Sequence, residues 1–131
     1  MAYATLYYQE LGIMSQYLEK YQEFTTLLEQ FRSYVTQNQI SAPFLRQHLR
    51  ELQQWFVQQI VPICDLDWRE QSYQTEISKQ LRLLEIDVMF FQGARQSVTA
   101  EARLRTISDR LSTLIQYCHA ILQSKAPEGS I

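Results

Sequence analysis

The side chains best suited to hold a metal or attack an electrophile are few in this 131-residue sequence. They are Cys64 and Cys118, His48 and His119, and the acidic run Asp65, Asp67 and Glu70. Neither histidine belongs to a Glu-x-x-His or His-x-x-x-His pair, the spacings that place two ligands on one helix face for a di-iron or zinc site. Cys118 and His119 are neighbours, about 100° apart around a helix, which suits one shared metal poorly. A core cysteine beside a flanking histidine is the plainer reading. Asp65-x-Asp67-x-x-Glu70 lacks the glycine and the further oxygen ligands of a calcium loop, and helix capping accounts for the same residues. A nucleophile needs a base and an oxyanion cradle. The serines here fall mostly in helical or cap positions, with no glycine-rich elbow nearby. The expectation is therefore no metal, no cofactor, no catalytic residue and no enzyme.

The elements that would carry these residues are read from hydrophobic spacing. Ile13, Tyr17, Tyr21, Phe24, Leu28, Phe31 and Val35 step by three or four and form one helical stripe. Asn38-Gln39-Ile40-Ser41 interrupts it, and Ser41 with Pro43 in the next turn predicts a new helix start. The second stripe is Leu45, Leu49, Leu52, Phe56, Ile60 and Ile63, with Trp55 at its edge and Pro62 limiting how far the helix runs regularly. Asp67 and Glu70 predict a capping box for the third helix, whose stripe is Tyr73, Ile77, Leu81, Leu84, Val88 and Phe91. Gly93 is expected to close it in the left-handed conformation. Thr99 is expected to cap the fourth helix, whose stripe is Leu104, Ile107, Leu111, Leu114, Cys118 and Ile121.

Helices two to four come out at roughly 33–38 Å each, and short connections allow only antiparallel neighbours. The expected fold is all-α: an antiparallel up-down-up-down four-helix bundle with long helices and an N-terminal extension. Residues 1–12 are the arm or an extension of the first helix, 13–123 the single bundle domain, and 124–131 a flexible tail.

Composition narrows the function classes. Three Gly and three Pro argue against a sandwich of many turns or a phosphate-cradling loop. A net charge of −2 argues against a general nucleic-acid binder. No apolar run approaches a bilayer span, and the start Met1-Ala2-Tyr3-Ala4-Thr5 has no signal-peptide pattern. Two cysteines form no disulfide framework. The expected setting is cytoplasmic, with no membrane partner.

Two features exceed what a bundle core requires. Leu83, Ile86 and Phe90, with Met89 toward the edge, form a second apolar face on the third helix, opposite Ile77, Leu84 and Phe91. A partner, a second copy, cover by the N-terminal arm or ordinary exposure would each account for it. The arm carries Tyr3, Leu6, Tyr7, Tyr8 and Leu11, and Gly12 would either hinge it or sit within a longer first helix. Charge is also uneven: Arg95 to Lys125 holds five cations and two anions, whereas residues 1–40 sum to −2. Arg103 and Arg110 share a face there. They are either a solvated surface or a means of steering an acidic partner.

Three segments carry a resemblance. They are Leu49-Arg50-Glu51-Leu52-Gln53-Gln54-Trp55-Phe56 running on to Gln59-Ile60-Val61-Pro62, then Thr75-Glu76-Ile77-Ser78-Lys79-Gln80-Leu81-Arg82-Leu83-Leu84-Glu85, and Leu104-Arg105-Thr106-Ile107-Ser108-Asp109-Arg110-Leu111. Together they resemble the PatD family of filamentous cyanobacteria. The similarity covers most of the chain, without a sharp signature motif and without the tyrosine-rich arm. It implies a regulator of heterocyst frequency under nitrogen limitation that binds FtsZ, the tubulin-like division GTPase, and alters filament assembly. The resemblance brings no binding residues with it. The candidate partner-binding residues are therefore those of the surface argument: Leu83, Ile86, Phe90, Arg103, Arg110, Tyr7 and Tyr8. The partner the resemblance implies is FtsZ; a homodimer is left open, and no nucleic acid is expected. The alternatives are a homodimeric helical adaptor or DNA-associated developmental regulator, and a small-molecule sensor or metal enzyme using a pocket between helices.

Overall fold

Every regular element of the computed structural model is helical: α1 (Ala2–Val35), α2 (Ala42–Trp55), a π turn (Phe56–Ile60), α3 (Trp68–Gly93) and α4 (Ser97–Ser124). The structure describes residues 2–37, 40–63 and 66–124, with side chains from residue 16 onward, and contains no strand among them. Of the expected tail 124–131, Ser124 is the last residue of α4 and 125–131 lie outside the described residues. α1 is helical from Ala2 to Val35, with residues 2–12 in the same helix.

The stripes explain which faces turn inward. Tyr17, Tyr21, Phe24, Leu28, Phe31 and Val35 of α1 are buried, while the side chain of Ile13 lies outside the described residues. α2 opens where expected: Ser41 is extended, its hydroxyl accepts the Phe44 N–H at 3.4 Å, and Pro43 stands in the first turn. Leu45, Leu49 and Leu52 then face the core.

Proline chemistry shapes the end of this helix. Val61 donates its N–H to the Phe56 carbonyl, five residues back, at 2.9 Å. Pro62 has no N–H to continue the ladder, and Ile63 closes the turn on the Ile60 carbonyl at 3.1 Å. The widened turn keeps both Phe56 and Ile60 buried and leaves Val57 and Val61 exposed.

Asp67 caps α3 as predicted, accepting the Glu70 N–H at 2.8 Å. Two terminus expectations are corrected. Gly93 is not left-handed. It is the last residue of α3, and Ala94 departs in an extended conformation with its N–H on the Phe91 carbonyl at 3.2 Å, so a short closing bond does the work of the glycine cap. α4 begins at Ser97, before Thr99, because the Gln96 carbonyl already accepts the Ala100 N–H at 3.0 Å. Thr99 therefore lies inside the first turn.

All four helices contribute to one apolar core, which includes Phe24, Leu28, Phe31, Leu52, Ile77, Leu84, Ile107, Leu111 and Leu114. α1 packs against α2 and α4, and α3 packs against the same two helices, whereas α1 and α3 do not meet among the described residues. Polar contacts fix the neighbours. The Trp55 indole N–H donates to the Lys20 carbonyl at 3.1 Å, and Arg32 donates to the Ser112 hydroxyl at 3.3 Å. Rings of Phe31 and His48 stack at 5.5 Å, and those of Tyr73 and Tyr117 lie 6.1 Å apart. No helix among the described residues is long and apolar enough to cross a membrane.

Candidate functional site

The outward side of α3 is set by the same spacing that buries its other side. Ile77, Leu81, Leu84 and Val88 take the core stripe. Residues offset from them by half a turn must face away, and these include Leu83, Ile86 and Phe90. Leu83 is half-buried, Ile86 is 41% exposed, Phe90 53% and Met89 63%. Whether residues 2–12 cover this face rests on side chains that lie outside the described residues.

Arg103 of α4 completes this surface. Its guanidinium carbon lies 4.7 Å from the centre of the Phe90 ring, a cation–π contact that fixes a positive charge beside the apolar face. Arg110 sits differently from the expectation. It donates from Nε to Asp87 Oδ2 and from a terminal nitrogen to Gln80 Oε1 at 2.9 Å. Asp87 is buried and Arg110 only partly exposed. Arg110 thus locks α4 to α3 and is spent inside the protein rather than free to steer a partner. The side chains of Tyr7 and Tyr8 lie outside the described residues, and their backbone belongs to α1.

The residues first considered for chemistry have packing environments. His48 lies among Phe31, Tyr34 and Phe44, with Nδ1 3.8 Å from Glu51 Oε2. His119 Nε2 is 3.9 Å from Glu29 Oε1 at a half-exposed edge. Cys118 is buried, and desolvation pushes its thiol up to about 12, against the smaller opposing pull of the Thr25 hydroxyl. Burial likewise raises the phenols of Tyr17 and Tyr21 well above their ordinary value, with the Glu70 charge adding to the effect on both. A thiol held neutral in this way is a poor nucleophile. Among the described residues no group of three or more His, Cys, Asp or Glu side chains is placed to hold a metal. Asp65 and Cys64 lie outside them.

The sequence reading missed a second surface, a groove of about 580 Å³ between the π turn and α3. Val61 and Phe56 line one side, and Ser78, Lys79 and Arg82 the other. The signal was present in Val57 and Val61, two apolar residues off the Leu45–Ile63 stripe, the second of them adjacent to Pro62.

No family model, curated protein or solved structure matches this chain.

Proposed function

We propose that this chain is a non-enzymatic, cytoplasmic binding protein. It attaches to FtsZ through the outward face of α3, modulates filament assembly and thereby sets heterocyst frequency. The observation that carries the binding reading is the exposed Ile86–Met89–Phe90 face with Arg103 fixed over Phe90. A helix in a plain bundle needs one apolar face, and a second one rimmed by charge is the usual form of a protein contact. The choice of FtsZ, and of the developmental role, rests on the resemblance to the PatD family.

The proposed architecture is a single antiparallel, up-down-up-down bundle. Two contacts along the α1–α2 pair and two along the α3–α4 pair support it, in each case with residue numbers rising on one helix as they fall on the other: Phe31 with His48 and Lys20 with Trp55, then Tyr73 with Tyr117 and Phe90 with Arg103. Such a rigid frame would hold the face in one shape for a repeating filament lattice.

Co-sedimentation with FtsZ polymerising in GTP tests the function. The chain is expected in the pellet with the filaments, in an amount that saturates, with a change in their bundling. A chain that stays in the supernatant while FtsZ polymerises unchanged would remove the FtsZ reading. Sedimentation velocity of the chain alone addresses the homodimer that the same apolar face would permit.

A further inference from the structure

We infer that the groove between the π turn and α3 is a second docking site, and that it takes an acidic amphipathic helix of a partner protein. Its two walls differ in chemistry. The π turn supplies Val57, 60% exposed, and Val61, 46% exposed, while Phe56 and Ile60 stay in the core. The facing wall supplies Lys79 and Arg82, one turn apart, both exposed and neither in an ion pair among the described residues. A second recess of about 280 Å³ shares Phe56, Val61, Ser78 and Arg82 with the main groove and prolongs it to Val57 and Glu85. Along α3 the walls run from Gln71 to Glu85, about 21 Å, or roughly four turns of a docked helix.

Charge complementarity selects the occupant. An apolar stripe of the guest would lie on Val57 and Val61, and carboxylates flanking that stripe would meet Lys79 and Arg82. Glu85, which accepts a hydrogen bond from the Gln53 amide at 3.3 Å, makes the far end of the groove negative. The guest's carboxylates therefore belong at the Lys79 end, which gives the docking a direction. Two cations in a chain of net charge −2 are too few for a nucleic-acid backbone. The groove shares no lining residue with the Ile86–Phe90 face, and its reading stands whether or not that face binds FtsZ.

The test is a fluorescence titration of the full chain with a synthetic helical peptide of about four turns, carrying Leu every third or fourth residue and Glu on the flanking positions. A peptide with Lys in place of Glu is the control, and amide chemical shifts locate the contact. Wild type is expected to bind the acidic peptide and not the basic one, with shifts at Val57, Val61, Lys79 and Arg82. Lys79→Glu with Arg82→Glu is expected to weaken binding by about tenfold or more, and Val57→Asp by a similar factor. Phe90→Glu should leave the titration within about twofold. Circular dichroism checks each variant, and Val57→Ser replaces Val57→Asp if the latter loses helicity. No binding to wild type, equal binding of the basic peptide, an unchanged titration in the double charge reversal, or shifts confined to Ile86 and Phe90 would each overturn the inference.

Discussion

Arg103 reaches from α4 to place its guanidinium 4.7 Å from the centre of the Phe90 ring on α3. The contact joins the cationic helix to the apolar face and gives that face an electrostatic sign. An acidic partner would be drawn toward Phe90 before any apolar surface is buried. If the proposed binding to FtsZ holds, Arg103→Gln should slow that association about three- to tenfold at low salt and have a vanishing effect at high salt. Stopped-flow or interferometric association rates across a salt series check this.

The Asp87–Arg110 pair makes an opposite prediction, about stability instead of binding. Asp87→Ala leaves Arg110 with Gln80 as its partner in a partly buried position. It should cost about 1–3 kcal/mol, less than a fully buried pair would, because the guanidinium keeps some contact with water. Replacing both residues with Leu should recover much of that loss. Denaturant titration of Asp87→Leu, Arg110→Leu and the double variant measures the coupling.

Leu52 and Leu84 are almost completely buried in the shared core. Each change to Ala should cost about 2–5 kcal/mol through lost burial and the cavity left behind. Asp67→Ala should cost about 0.5–2 kcal/mol, because it frees the Glu70 N–H at the start of α3. Thermal or urea unfolding checks both.

Alkaline pH should unfold the protein cooperatively. Cys118, Tyr17 and Tyr21 all have pKa values raised in the fold by burial, Cys118 from 9.0 to about 12. The native state therefore holds their protons where the unfolded chain has lost them. This contribution is intact below about pH 9 and falls as pH rises toward 12, by up to about 1.4 kcal/mol per pH unit for each such group. Unfolding free energies between pH 7 and 11 give the slope. A flat profile would contradict the packing around Cys118. In the same range the native thiol should resist alkylating reagents until the protein unfolds.

Much of the fold was legible because period-3.6 burial dominates it. Every α2 stripe residue from Leu45 to Ile60 is buried, and the Ser41 and Asp67 caps form as their types dictate. The errors lie at termini, where side-chain preference competes with local backbone bonding: Gly93 stays helical and Gln96, not Thr99, opens α4. The apolar face of α3 was legible from the same periodicity. The partner of Arg110 was not, since Asp87 is on another helix and the pairing depends on how α3 and α4 are rotated against each other. The groove beside Val57 was also hidden, because it needs the π turn that precedes Pro62, which hydrophobic spacing does not reveal.

The most direct test of the central claim is filament co-sedimentation of Ile86→Glu, Phe90→Glu, chosen because these side chains are more exposed than Leu83 and can change without opening the core. The double variant should keep the helicity and thermal midpoint of wild type within a few degrees and lose at least about tenfold in affinity for FtsZ filaments. A folded variant that still pellets with FtsZ at wild-type affinity would contradict the assignment of this face as the partner surface.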